Sequence, residues 1–329
     1  MWKNVLVKFT IFFIIFHILS ASISSTINAN ETIKITNDSF SEKQIDEVAQ
    51  INISFKSGDY DLYGEIYYPS NNATLYPAIV FCGGVASYVS AYTWLAKNFA
   101  QEGYIVLIFD PPGLGKSEGY FQKYINFSIS SLNLFFRFGS IAETLFHYID
   151  RDWEYAVSDA LTYFLTDSPV KHLIDPDHIG LIGHSLGGIT ITEVVANDKR
   201  FDTLITLSFG NTLRGRDIDI PVQLICGDID MMPLCVLSSL SCYEFARPPK
   251  ELIVIQGGTH FGFTSAFKEF CPCPPWQKDI IERYTVGWFN YILKNQTSAY
   301  EIITTGTDHL SELFKSRYTF GEGEHILEE

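Results

Sequence analysis

The sequence predicts an α/β fold, a mainly parallel central sheet with helices on both faces. Two observations carry this. Short apolar runs alternate along the chain with longer segments of helical pattern, as in a parallel sheet buried on both sides. Hydrophobic residues make up 47% of the 329 residues and charged residues 19%. That is enough apolar material for a sizeable core and too little charge for a disordered chain.

The elements follow in order. Strand-like runs occupy residues 51–55, 62–68, 77–82 and 104–110, with a helical stretch at 91–102 between the last two. A second helix is expected at 153–165. After Pro176 come a short strand at 179–182 and a helix at 186–197. Further apolar runs lie at 203–208, 222–226 and 252–255, with helical patterns after the last two at 234–246 and 277–293. There is no internal repeat and no low-complexity tract.

The organisation expected is a signal peptide at 1–22, a polar linker at 23–48, one α/β domain at 49–300 and a loosely attached tail at 301–329. The first segment carries Lys3 and Lys8, then an apolar run at 9–19, then Ser20, Ala21 and Ser22. That is the layout of a secretory signal. The run is shorter than the roughly 20 residues that span a bilayer, so cleavage is favoured over an uncleaved membrane anchor. Export to the outside or to a secretory lumen, with no stable membrane span afterwards, is the expectation. Asn-x-Ser/Thr triplets at Asn30, Asn37, Asn52, Asn72, Asn126 and Asn295 are compatible with glycosylation on that route.

The formal net charge is −15, which repels phosphate backbones and makes nucleic acid an improbable partner. Six cysteines, Cys82, Cys226, Cys235, Cys242, Cys271 and Cys273, permit disulfides in an oxidising compartment. Cys82 and Cys226 end strands and are expected to be buried thiols. Cross-links are expected between the Cys235/Cys242 pair and the Cys271/Cys273 pair. Cys271-Pro-Cys273 is too tight for a metal knuckle and lacks histidine company, so neither metal nor cofactor is expected.

The chemical signal is Gly183-His184-Ser185-Leu186-Gly187-Gly188. A strand is expected before it and a helix after it, the setting of a nucleophile elbow. The strand turns so sharply into the helix that side chains two residues either side of the serine would clash, hence the glycines. Serine is a weak nucleophile without a base, and the elbow's chain order places an acid and then a histidine downstream. His17, His147, His172 and His178 precede Ser185, His184 lies within the elbow, and His309 and His325 fall in the expected tail. His260, in a glycine-rich segment after the 252–255 strand, remains as base. The loop after the 222–226 strand offers Asp228 and Asp230. Asp230 is favoured, three residues past Gly227 and shortly before Pro233. An oxyanion needs two backbone donors. Leu186 is one; the other is Gly84 or Val85, in the glycine-bearing loop after the 77–82 strand.

Asp110-Pro-Pro-Gly113-Leu-Gly115-Lys-Ser117-Glu-Gly119 resembles the D-x-x-G-x-G-x-S segment of α/β-hydrolases, a largely structural string. Together with the elbow it makes residues 51–300 similar to that superfamily. The closest likeness is to the dienelactone hydrolase and cutinase-like polyester hydrolase group, whose closing helix the 284–300 segment resembles. Carried over by position, Ser185, Asp230 and His260 match the triad. An aromatic insertion at about 120–150, bearing Phe127, Leu132, Leu134, Phe135, Phe136, Phe138 and Phe146, departs from the pattern. It reads as extra core or as a lid. The acid loop is also one residue short before Pro233. The resemblance implies hydrolysis of a small-molecule or lipid-like carboxylic ester through an acyl-enzyme. A peptidase or acyltransferase using the same triad, and a non-catalytic binding module, are the alternatives.

Overall fold

The computed structural model describes residues 47–71, 75–85, 87–119, 138–209, 217–230, 234–266, 273–318 and 325–326, and side chains over the same span except 138–150 and 325–326. The expected signal peptide, nearly all of the linker and residues 120–137 of the insertion lie outside the described residues.

An antiparallel hairpin opens the described residues, β1 (Val48–Ser57) with β2 (Tyr60–Pro69). Next come β3 (Tyr76–Cys82), helix α1 (Thr93–Gln101) and β4 (Ile105–Phe109). Helix α2 runs over Phe138–Thr166, so the last part of the expected insertion, 138–150, continues the helix expected at 153–165. Then follow β5 (Ile174–His184), α3 (Leu186–Asn197), β6 (Thr203–Leu207), β7 (Val222–Gly227), α4 (Leu234–Phe245) and β8 (Lys250–Ile255). The chain closes with α5 (Trp276–Ile292), α6 (Ala299–Thr304), β9 (Lys315–Arg317) and β10 (His325–Ile326).

The strands form one sheet in the order β1-β2-β4-β3-β5-β6-β7-β8-β9-β10. The pairs from β4 to β8 are parallel, and those at both margins are antiparallel. This is the single α/β-hydrolase domain that the sequence predicts. Alternation along each strand sends side chains to two cores. Ala78, Val80 and Cys82 of β3 pack on one face with Trp153, Leu161 and Phe164 of α2 and Val194 of α3. Ile79 and Phe81 pack on the other with Leu95 and Phe99 of α1 and Ile281, Trp288 and Phe289 of α5. The Trp288 indole is fully buried and donates to Thr203 Oγ1 at 2.8 Å. A buried side chain of that class stabilises by roughly 1.5–3 kcal/mol through desolvation alone.

The loose tail expected from residue 301 is corrected over the described residues 301–318. Ser311 N–H donates to the Val254 carbonyl at 2.8 Å, and β9 pairs antiparallel with β8 through Lys250↔Arg317, Glu251↔Ser316 and Leu252↔Lys315. Phe314 and Tyr318 are buried, the latter against Trp288, Tyr291 and Tyr300. The strand is three residues long, too short for its alternation to register as a periodic signal.

Candidate active site

The central parallel strands end on one side of the sheet, and the loops leaving β3, β5, β6, β7 and β8 there supply the site. Ser185 sits between β5 and α3 with φ 55° and ψ −120°. A non-glycine residue held in that region costs on the order of 1–3 kcal/mol and persists only where its surroundings impose it. The surroundings are tight. A Cβ at Gly183 would lie 2.5 Å from the Gly187 carbonyl oxygen, and one at Gly187 would lie 2.3 Å from that of Cys82. Only glycine at both positions lets the turn close. Ser185 N–H donates to the Leu207 carbonyl at 3.0 Å, fixing the serine over β6. Leu186 starts α3, so its N–H has no acceptor within the helix.

His260 opens a single 3₁₀ turn, His260–Phe263, after β8. Its Nε2 lies 2.9 Å from Ser185 Oγ, and its Nδ1 lies 3.1 Å from Asp230 Oδ2. The Asp230 side chain has no exposure and that of His260 only 11%. Asp228 points elsewhere: its Oδ1 accepts the Gly257 N–H at 2.7 Å and holds the turn after β8. The structure therefore brings Ser185, His260 and Asp230 into one hydrogen-bonded row and leaves Asp228 out of it.

A fourth side chain joins that row without a sequence signal. Ser208, fully buried after β6 with φ 72°, puts its Oγ 2.9 Å from His260 Nδ1 and in a short hydrogen bond to Asp230 Oδ2. A carboxylate only accepts, so the Ser208 hydroxyl donates to Asp230. The His260 Nδ1–H is then shared between Ser208 Oγ and Asp230, and Nε2 is left to accept from Ser185. Nothing in Leu207-Ser208-Phe209 marks this serine in the sequence; only the adjacency of β6 and β7 brings it to Asp230.

His184 is the other residue whose role comes from the fold. It is buried, with Nδ1 2.7 Å from the Tyr92 hydroxyl and Nε2 3.2 Å from the His260 carbonyl oxygen. A carbonyl only accepts, so Nε2 carries the proton and Nδ1 accepts from Tyr92. Burial, and secondarily the neighbouring His260, hold its pKa well below the ordinary imidazole range, and the ring is neutral. The Tyr92 oxygen in turn accepts the Gly84 N–H at 3.0 Å. Of the two expected loop donors, Gly84 is thus already committed, while Val85 is exposed at the same loop. Asp110 serves its turn, accepting the Val89 and Lys116 N–H groups at 2.8 and 2.9 Å.

The expected disulfides are corrected among the described residues. Cys235 and Cys242 are free and buried on the sheet side of α4, and Cys273 is free before α5. The expectation requires these two cysteines to meet the 271–273 segment, whereas α4 buries Cys235 beside Asp230 and Cys242 in the core. Cys82 and Cys226 are likewise buried and free. Burial pushes the Cys226 thiol up to about 12, and pushes Cys235, beside Asp230, higher still. Cys271 lies outside the described residues.

The chain is similar to known hydrolases. A family model described as PET hydrolase-like matches residues 149–319, and a second, described as serine aminopeptidase S33, matches residues 75–210. Cutinase est2 of Thermobifida alba is 24% identical over 263 residues, 78% of this chain and 73% of its own length. Cutinase 1 of Thermobifida cellulosilytica is 22% identical over 262 residues, 79% of this chain and 84% of its own. Platelet-activating factor acetylhydrolase of Bos taurus is 25% identical over 214 residues, 57% of this chain, and the match spans about half of that longer protein. With the model match covering more than half of its length, the chain belongs to the PET hydrolase-like family and is a serine ester hydrolase of the α/β-hydrolase fold.

Proposed function

We propose that the protein cleaves carboxylic esters through an acyl-enzyme on Ser185, with His260 as general base and acid and Asp230 as its orienting carboxylate. One observation carries the reading, the unbroken row Ser185 Oγ–His260 Nε2 at 2.9 Å and His260 Nδ1–Asp230 Oδ2 at 3.1 Å. His260 takes the Ser185 proton as Oγ attacks the ester carbonyl, and Asp230 stabilises the imidazolium without taking the proton. The Leu186 and Val85 amides hold the oxyanion, since Gly84 N–H is occupied by Tyr92. His260 then protonates the leaving alcohol. Water attacks the acyl-enzyme by the same route in reverse and releases the acid.

Exposed Val85, Tyr88 and Ile229 sit on the loops after β3 and β7 that flank the row. They favour an ester with an apolar substituent, in keeping with relatives named cutinase and platelet-activating factor acetylhydrolase. Export by the 1–22 segment is part of the same reading. Asn52 and Asn295, two of the Asn-x-Ser/Thr sites, are exposed. Among the described residues no helix is long and apolar enough to cross a membrane.

The S33 model match over 75–210 favours a second reading, hydrolysis of peptides on the same row. The test is a fluorophosphonate probe on the purified protein, followed by parallel panels of esters graded by chain length and of short peptides. Labelling of wild type, its loss in Ser185→Ala, and turnover confined to esters are expected. Replacing Ser185 removes the nucleophile of a unit whose joint loss costs about 10⁶-fold in turnover. Unchanged turnover in a folded Ser185→Ala protein overturns the mechanism, and turnover confined to peptides overturns the ester reading.

A further inference from the structure

Cys235 has no part in ester hydrolysis, yet it stands in the first turn of α4 with its sulfur against the acid of the row. One ligand atom from each of Asp230, Cys235 and His260 lies within 4.8 Å of the other two, and all three residues are buried. We propose that these three side chains form an inhibitory site for a thiophilic divalent cation of the zinc type. Its occupancy switches the hydrolase off; this second clause rests on the triad reading above.

The donor set selects the ion. One thiolate sulfur, one imidazole nitrogen and one carboxylate oxygen are the ligands of tetrahedral zinc, whereas calcium and magnesium take six or more oxygens. Bonds of about 2.0–2.3 Å put neighbouring ligand atoms of such a tetrahedron roughly 3.3–3.8 Å apart. His260 Nδ1 and Asp230 Oδ2 already stand 3.1 Å apart. The sulfur closes from at most 4.8 Å, a movement of about 1 Å for one side chain. Ser208 Oγ, 2.9 Å from His260 Nδ1, stands beside the fourth position, which it or a water fills.

The inhibition follows from proton placement. In the free enzyme His260 Nδ1 carries the proton and Nε2 accepts from Ser185. A cation on Nδ1 needs that nitrogen's lone pair, so the imidazole proton moves to Nε2. The metal takes Cys235 as thiolate, and one proton leaves to solvent; nothing is oxidised or reduced. Ser185 Oγ then faces an N–H donor where it needs an acceptor, and the serine has no base. The same nitrogen cannot serve Asp230 and the cation at once, so binding and catalysis exclude one another.

The experiment uses the full chain, stripped of metal by a chelator. Zinc is titrated into an ester assay and into fluorophosphonate labelling, and cadmium is titrated while the thiolate-to-cadmium absorption is followed. Wild type is expected to lose both activity and labelling, to recover both on adding EDTA, and to show the absorption at one equivalent. Cys235→Ala is expected to keep its metal-free turnover, to lose that absorption, and to need at least tenfold more zinc for half-inhibition, the least that losing even an outer-sphere partner costs. Cys235→Ser repeats the test should alanine unsettle α4. Cys226→Ala, which removes a nearby buried thiol, leaves zinc sensitivity unchanged. Wild type labelled equally with and without zinc overturns the proposal, as does an absorption that survives in both Cys235 variants. Cadmium absorption in Ser185→Ala separates this site from the triad. If that variant still hydrolyses the ester, the triad reading fails, while the absorption continues to report the site.

Discussion

His184 Nε2 lies 3.2 Å from the carbonyl oxygen of His260, so the residue beside Ser185 holds the main chain of His260. With Tyr92 it completes a relay from Gly84 N–H through the tyrosine oxygen and the neutral imidazole to the His260 backbone. The loop after β3 and the loop that carries His260 are thereby set against each other. Ser265 reinforces this by donating its N–H and its hydroxyl to the Ala91 carbonyl, at 2.9 and 3.0 Å.

Tyr92→Phe tests the relay. It leaves the Gly84 N–H and His184 Nδ1 unpaired in a buried setting, at a cost of about 1–3 kcal/mol for each unsatisfied group. Urea unfolding reads the stability loss. Ester kinetics read the function: kcat is expected to fall about tenfold with KM nearly unchanged, because the displaced groups serve the transition state. Equal kcat in a destabilised protein reduces Tyr92 to a packing residue.

The two aspartates of the β7 loop separate by their partners. Asp230→Asn is expected to lower kcat on the order of 10⁴-fold, since an amide cannot hold the required imidazole tautomer. Asp228→Asn keeps an acceptor for the Gly257 N–H and stays within a fewfold of wild type. Single-turnover acylation rates on both variants decide the matter. An Asp228→Asn protein that is the crippled one reverses the assignment.

Ser208→Ala removes the hydroxyl shared by Asp230 and His260 Nδ1. The carboxylate keeps the imidazole, so the loss is smaller than for Asp230→Asn, about tenfold in kcat for one hydrogen bond to a charged group. Ser208→Thr, which keeps the oxygen, is expected to restore most of kcat, and steady-state ester kinetics on both variants check this.

Glu251 is a buried carboxyl away from the site, fully enclosed on β8 between Gln223 and Tyr318. Burial raises its pKa well above the ordinary 4.5. In the unfolded chain it ionises near 4.5 while the folded protein keeps it protonated. Its contribution is therefore fully present below 4.5 and is lost as pH rises toward the folded value. Glu251→Gln cannot ionise, so its stability relative to wild type is expected to climb from pH 4.5 to 7, read as urea midpoints across that range. His184 titrates with the opposite sign in both proteins and cancels in the difference. A flat difference shows that Glu251 is ionised in the folded state.

The sheet was legible because its strands are short apolar runs between glycine, proline and polar breaks, and each of the eight runs read from the sequence coincides with a strand. Ser185 was legible because a strained turn leaves glycines behind at fixed spacing. His260 and Asp230 followed from chain order and from the strands they leave. Ser208 and Tyr92 were not legible, for a physical reason: each acts through a neighbour on another strand or loop, and a buried hydroxyl leaves no spacing pattern. The cysteines misled because α4 is apolar nearly all round, so its sequence does not say which face turns inward. Residues 301–329 read as a loosely attached tail because the three-residue strand at 315–317 buries only Ser316 and leaves no periodic signal.

That last strand has a consequence for the molecule's social behaviour. β8 carries Leu252, Ile253, Val254 and Ile255, all fully enclosed, and beyond it the parallel pairing stops. Residues 315–317 occupy the hydrogen-bonding groups along that margin. Without them β8 offers a bare, apolar template of the kind that recruits strands from other chains. β9 thus acts as a selvedge for β8: it lies outside the row of Ser185, His260 and Asp230, and it covers the margin at which a strand of another chain would pair.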